Sequence, residues 1–232
     1  MNLALDEALL EQAESIDWDF GSGCGELIRF WEPETHFVVL GRSSLVAEEV
    51  NLSYCQAQAI PVFRRASGGA TILTGPGCLM YAVRLSYRLR PSLRMLDQAH
   101  QFVMGQIKTA VSKLGFDVQI AGTSDLVYQD QKVSGNSLRC RRGGLIYHGT
   151  LICDLDLDLI AACLGRPARQ PEYRRGRGHR DFLTRLPVST ETLKEAIAET
   201  FHAADQILDY PFELCEQLAR EKYQIDAWNF AR

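Results

Sequence analysis

The stretch Val62-Phe63-Arg64-Arg65-Ala66-Ser67-Gly68-Gly69-Ala70-Thr71-Ile72-Leu73 decides how this chain is read. Two adjacent arginines run directly into Ser67-Gly68-Gly69, with β-prone apolar residues on both sides. Cations beside a backbone that can approach a ligand closely suit a phosphate or a carboxylate. Taken alone, the motif also fits a surface turn whose arginines pair with nearby acids. A second segment, Lys132-Val133-Ser134-Gly135-Asn136, repeats the idea with a lysine, a hydroxyl and a glycine.

Outward from this turn, hydrophobic periodicity predicts short strands over 60–64 and 70–73 and a longer one over 78–85. Earlier, 26–31 and 36–40 read as two strands of a hairpin, joined by Glu32-Pro33-Glu34. Later strands are expected over 117–120, 125–128, 131–134 and 144–155. Helices are expected over 2–13, 46–59, 96–114, 156–164, 190–203 and 212–221, with Gly115 stopping the long one. In the first helix Leu3, Leu5, Leu9 and Leu10 form an apolar stripe, Asn2 is a candidate cap, and Asp6 and Glu7 are the acids of the opening turns. Residues 21–25 read as a loop. The Asp154, Asp156, Asp158 alternation reads as a strand end and helix cap rather than a metal site. Runs of strands broken by helices without strict β-α-β alternation argue for an α/β fold of the α+β type, as one domain over 1–232.

The 232 residues suffice for one large core, and 46% hydrophobic with 23% charged residues is ordinary for a globular protein. A net charge of −4 and a pI near 5.8 exclude general nucleic-acid binding by charge. The seven cysteines (Cys24, Cys55, Cys78, Cys140, Cys153, Cys163 and Cys215) are odd in number and scattered, with no CxxC pair. That pattern fits a reduced chain rather than a disulfide framework or zinc site. No apolar run nears the roughly 20 residues of a membrane span. Residues 1–10 carry two acids and no basic region, unlike a signal peptide. The expected location is the cytoplasm, without membrane partners.

Four segments then fall in a telling order: Asn2-Leu3-Ala4-Leu5-Asp6-Glu7-Ala8-Leu9, the Arg64–Thr71 turn, Lys132-Val133-Ser134-Gly135, and His148-Gly149-Thr150-Leu151. Lys222-Tyr223 and Trp228-Asn229-Phe230 follow near the end. Together, from residue 2 to about 230, they resemble the lipoate–protein ligase A family of the biotin/lipoate protein ligase superfamily. The resemblance implies a mixed, largely antiparallel β-sheet core flanked by helices, related to class II aminoacyl-tRNA synthetases and biotin protein ligases. It also implies a reaction in which a lipoate or octanoate carboxylate attacks the α-phosphorus of ATP and the acyl-adenylate then acylates a lysine. ATP, Mg2+ and lipoate (as lipoyl-AMP) are the implied small molecules, with no metal ligands assigned. The implied partners are lipoyl-acceptor domains of 2-oxoacid dehydrogenase complexes or the glycine cleavage H protein.

Residue by residue, the resemblance makes Lys132 the lysine that contacts phosphate and acyl carbonyl. A lysine is suited to such a point charge, and adenylation needs mainly positioning and electrostatic stabilisation. Arg65, Ser67, Gly68, Gly69 and the backbone of Ala70, Thr71, Ile72 and Leu73 match positions that hold adenylate and acyl chain. Ser134 can donate a hydrogen bond, and Gly135 admits close backbone approach. Asp125 matches an aspartate near nucleotide and metal, or is a plain strand-start carboxylate. His148, Gly149 and Thr150 belong beside the acyl pocket, with His148 structural or substrate-lining. The basic stretch holding Arg166, Arg169, Arg174, Arg175, Arg177, Arg180 and Arg185 is either a solvated loop, a loop closing over the adenylate, or a face for an acidic acceptor.

The chain departs from the family pattern at Ala70, where a third glycine is usual, and at Thr74, where a histidine is usual. The strand that commonly precedes the first helix and the small carboxyl-terminal domain are not expected here, so a separate accessory polypeptide is a further expected partner. Two alternatives stay open. One is an ATP-independent octanoyl or lipoyl transferase working through a cysteine thiolate near the lysine. Cys163 is its nearest candidate, although it sits four residues early in a helical run, while Cys78 and Cys153 read as core. The other is a non-catalytic lipoyl-binding paralogue, against which Lys132 and Arg65 argue.

Overall fold

The computed structural model describes residues 1–12, 25–167, 170–207 and 210–232. In chain order its elements are α1 (Asn2–Gln12), β1 (Leu27–Trp31), β2 (Phe37–Leu40), α2 (Val46–Glu49), α3 (Leu52–Ala57), β3 (Val62–Arg64), β4 (Ile72–Thr74) and β5 (Cys78–Ser86). There follow α4 (Leu96–Lys113), β6 (Val118–Ala121), β7 (Asp125–Tyr128), β8 (Gln131–Cys140), β9 (Gly144–Ile152), α5 (Leu157–Cys163), α6 (His179–Phe182), α7 (Thr190–Thr200), α8 (Phe212–Leu218) and α9 (Asp226–Asn229). Six strands form one sheet in the order β1-β5-β9-β8-β7-β6, antiparallel at every pairing. A smaller sheet has the order β3-β2-β4, with β2–β3 parallel and β2–β4 antiparallel.

Strand periodicity of two divides the large sheet into two faces. Leu79, Tyr81, Val83 and Leu85 of β5 and Leu145, Tyr147 and Leu151 of β9 pack with Val103, Met104 and Ile107 of α4 and Leu193 and Ile197 of α7. The alternate residues turn the other way. Ala82 and Ile146 meet Leu10 of α1, while Cys78, Met80 and Ile152 join the small sheet and α5 in a second core. Every residue of β5 is therefore buried, and its sequence is apolar almost throughout. Each large apolar side chain so covered contributes about 1.5–3 kcal/mol.

Several expectations need correction. The first two strands exist but form no hairpin: β1 pairs with β5 and β2 with β3 and β4. Glu32-Pro33-Glu34 carries the chain from one sheet to the other, and the proline withholds a ladder donor. The 46–59 helix is two helices, because Val50 bridges Leu164 and Asn51 caps α3 by accepting from the Tyr54 amide. The strand expected over 131–134 runs on to Cys140. In α1 the side chain of Asn2 accepts from Arg29 rather than capping, and Asp6 and Glu7 are buried, not solvated near the helix start. Asp156 does cap α5, accepting from the amides of Asp158 and Leu159. The 21–24 part of the expected loop and Cys24 lie outside the described residues.

The carboxyl-terminal segment is tied into the middle of the fold. The Arg64 amide donates to Asn229 Oδ1 (2.9 Å), and Arg64 Nε donates to the carbonyls of Trp228 (3.1 Å) and Asn229 (3.2 Å). Trp228 Nε1 returns a bond to the Arg64 carbonyl (2.8 Å), and Asn229 Nδ2 holds the Tyr223 carbonyl (3.0 Å). Glu7 of α1 closes the tie, accepting from Lys222 Nζ at 2.6 Å, Tyr223 OH at 2.8 Å and Arg139 Nη1 at 2.9 Å. Asn229→Ala leaves a buried amide and a buried carbonyl without partners and should cost about 2–4 kcal/mol in urea unfolding. A loss below 1 kcal/mol would mean the tie is dispensable.

Candidate active site

The Arg64–Thr71 turn hangs between β3 and β4, and its carbonyls face protein donors. Arg65, nearly fully buried, gives Nε to Ser67 Oγ (3.1 Å) and the Gly68 carbonyl (3.1 Å), Nη1 to Val39 O (3.2 Å), and Nη2 to the carbonyls of Gly68 (2.6 Å) and Ala70 (2.9 Å). Arg139 Nη1 holds the Ala66 carbonyl (3.0 Å), Ser137 Oγ shares Gly68 O (2.9 Å), and the Arg42 amide takes Ser67 O (2.8 Å). Glu49 receives the Thr71 amide (2.9 Å) and hydroxyl (2.7 Å). A Cβ on Gly41 would stand 1.8 Å from the Gly69 carbonyl, so this approach needs glycine. The amides of Gly68, Gly69 and Ala70 donate to no acceptor among the described residues. The arginine pair is thus not a bare anion clamp. Both guanidinium groups bond mainly carbonyl oxygens, with Arg64 Nη2 buried and unbonded, so the unbonded donors of the turn itself are backbone amides. Burial, opposed by Glu49, brings the Arg65 guanidinium down to about 10, so it stays charged at neutral pH.

His148 of β9 closes one side. Its Nε2 lies 2.5 Å from Ser67 Oγ and its Nδ1 3.2 Å from Asp6 Oδ2, while Asp6 Oδ1 pairs with Arg29 Nη1 at 2.6 Å. With Asp6 ionised, Nδ1 carries the proton and Nε2 accepts from Ser67. Burial raises the Asp6 carboxyl, but the Arg29 charge and the bond to His148 outweigh it and hold Asp6 below its ordinary value.

Lys132 arrives by way of an irregularity in β8. Leu126 pairs with Ser134 and Val127 with Lys132, leaving Val133 as an extra residue, a β-bulge. Val133 packs into the α4 core. Beyond the bulge, Gly135, Ser137 and Arg139 face the same side as Lys132, toward the turn. Lys132 Nζ sits 2.8 Å from Asp125 Oδ1, and Asp125 Oδ2 accepts from Tyr173 OH at 2.7 Å. A Cβ on Gly135 would come 2.7 Å from Lys132 Nζ, so the ammonium rests over a glycine.

These groups line one cavity of about 400 Å³, within the usual range for small-molecule sites. Lys132, Asp125, Gly135, His148, Gly149 and Thr150 form one side, and Arg65, Gly69, Ala70, Thr71 and Ile72 the other. Leu3, Trp31, Val39 and Met80 supply an apolar end. An apolar compartment beside an ammonium and free amides suits a ligand with a hydrocarbon chain and an anionic head. Of the residues singled out from sequence, Ser67 and Gly68 stand behind the lining. Leu73 is core, and Ser134 is buried with its hydroxyl accepting from Asn136 Nδ2. Thr74 is fully buried, does not line the cavity and donates at 3.2 Å to the sulfur of Met80, which does.

Of the basic stretch, Arg166, Arg175, Arg180 and Arg185 are exposed, whereas its middle is drawn into the fold. Gln170 and Pro171 reach the cavity, Arg174 is buried over the Phe182 ring at 4.7 Å, and Arg177 bonds the carbonyls of Asp130, Tyr173 and Arg174. Burial and the charges of Arg174, Arg166 and Lys132 push His179 down to about 4. Arg169 lies outside the described residues. Sequence reading missed Asp6, Arg29, Glu49 and Tyr173. Its one signal was a pair of adjacent acids inside the otherwise apolar first helix. No described cysteine lines the cavity. Cys55 and Cys163 are buried against each other, and burial raises the Cys78, Cys153 and Cys163 thiols to about 12.

Because the folded state holds the Asp6 carboxyl below its unfolded value of ~3.9, its contribution is complete above that value. It is lost as pH falls through the lower folded value. Asp6→Asn should therefore cost about 3 kcal/mol at pH 7. The gap from wild type should shrink in unfolding experiments below about pH 4; a gap that is constant or widens toward acid contradicts the Arg29–Asp6–His148 arrangement.

A family model described as the lipoyl protein ligase A/B catalytic domain matches residues 1–202. Octanoyltransferase LipM of Geobacillus kaustophilus is 26% identical over 272 residues, covering 100% of this chain and 94% of that protein. Lipoate–protein ligase 1 of Staphylococcus aureus is 26% identical over 249 residues, covering 100% and 70%. A crystal structure of lipoate-protein ligase A bound with ATP has a TM-score of 0.76 at 23% identity, over 98% of this chain and 92% of that one, a likeness of fold.

Proposed function

Because this chain belongs to the lipoyl protein ligase A/B catalytic-domain family, we propose that it is an ATP-dependent ligase that attaches lipoate or octanoate to a lysine of a lipoyl-acceptor domain. The acyl chain lies along Leu3, Trp31, Val39 and Met80. A carboxylate oxygen attacks the α-phosphorus of ATP, and pyrophosphate leaves with the electrons of the broken P–O bond. The acceptor lysine amine then attacks the acyl carbon, AMP departs, and an amide forms. Both steps place negative charge on oxygen, and preorganised donors stabilise such charge without reorganising. Lys132 and the amides of Gly69 and Ala70 are those donors. Asp125 keeps Lys132 in place until the phosphate arrives.

One observation carries this reading over the alternative within the family. Lys132 faces the amide-rich turn across a cavity in which no described cysteine stands. A thioester transferase needs a thiolate at that point, and Cys163 is buried with its thiol raised to about 12. The similarity to LipM gives the transferase its support. Among the described residues no group of three His, Cys, Asp or Glu could hold a metal ion, and both Asp125 oxygens are already bonded. Magnesium therefore enters the proposal only as the ion carried by ATP.

Wild-type protein should release pyrophosphate from ATP in the presence of lipoate. Lys132→Ala should abolish that release while leaving the urea midpoint unchanged, and retained activity would sink the assignment. Cys163→Ser should keep most of the activity. If it instead abolishes octanoyl transfer from a carrier-protein thioester, the protein is a transferase. Gly135→Ala, which displaces the ammonium, should lower turnover roughly 10- to 100-fold with little change in thermal midpoint.

A further inference from the structure

The segment after α5 reaches the catalytic lysine through one side chain. Tyr173 sits in the 3-10 turn Glu172–Arg174, and its ring packs on Phe182 of α6 at 5.3 Å and borders Gly122. Its hydroxyl donates to Asp125 Oδ2 (2.7 Å), the oxygen not taken by Lys132. Elsewhere the same segment is fastened to β8: the Thr184 amide donates to the Lys132 carbonyl (3.0 Å), and Gln131 Nε2 holds the carbonyls of Asp181 and Leu183.

From this geometry we infer that Tyr173 is a positioning residue, which fixes the Asp125 carboxylate and so holds the Lys132 ammonium over Gly135. A carboxylate bonded at both oxygens has a defined plane, whereas one bonded only to a flexible lysine turns with it. Removing the hydroxyl leaves Asp125 and Lys132 free to swing together away from Gly135. Burial, with the Asp125 charge beside it, pushes the Tyr173 phenol up, so it remains a donor at neutral pH.

The inference rests on the ligase reading for its consequence in turnover but not for its geometry, so two readouts are needed. In the first, Tyr173→Phe should lower kcat for pyrophosphate release roughly 10- to 100-fold, with KM for lipoate within twofold. Asp125→Asn should do the same, and the double variant should be no worse than either. In the second, Lys132 is labelled by an amine-reactive ester and read by mass spectrometry, without substrates. Labelling should quicken at least threefold in Tyr173→Phe and in Asp125→Asn, and no further in the double variant. Full turnover with unchanged labelling in Tyr173→Phe overturns the inference, as do effects that multiply in the double variant. A wild type without pyrophosphate release refutes the ligase reading alone, and the labelling cycle then decides the role of Tyr173. Thermal midpoints within a few degrees of wild type separate positioning from unfolding.

Discussion

A buried guanidinium is costly unless its donors are met, and Arg64 and Arg65, which find acceptors for every nitrogen but Arg64 Nη2, shape what lies around them. Arg64 draws in the Gly41 and Ser44 carbonyls on one side and the Trp228–Asn229 backbone on the other. Arg65 draws in the carbonyls of its own turn. The turn is shaped by what the arginines need, and it keeps amides that bond no acceptor among the described residues. A carboxylate or phosphate meets a surface already oriented, with little left to reorganise on binding.

The first helix plays the complementary part. Asp6 and Glu7 are adjacent, so they point in different directions and bind different partners. Asp6 steadies Arg29 and His148, and Glu7 steadies Arg139, Lys222 and Tyr223. Arg139 in turn holds the Ala66 carbonyl. Three regions far apart in the chain thus converge on one turn through charge-assisted bonds, each partly or fully out of water, where such bonds are strongest.

Much of this was legible in the sequence, and the reasons are local. The 96–114 helix, the β5 strand and the Asp156 cap follow from periodicity and cap chemistry and match the structure. The motif residues Lys132, Gly135, His148 and Thr150 do meet the Gly69–Ile72 backbone at one cavity. Sheet assignment was not legible, because β1 and β2 are adjacent in sequence and carry equally plausible hairpin chemistry. Only long-range pairing separates them. Nor could spacing show that the arginines point inward, since their acceptors are carbonyls without any residue signature. Tyr173 was hidden in a stretch dominated by arginine.

The extra residue in β8 has a consequence for how this protein can change. A strand encodes inside and outside by parity, and Val133 resets that parity once, between Lys132 and Gly135. Upstream and downstream halves of the strand are therefore out of phase, and the site depends on the mismatch. Between residues 132 and 137 a single insertion or deletion would send the lysine and the turn's supports to opposite faces. Substitution can explore this segment, but length cannot.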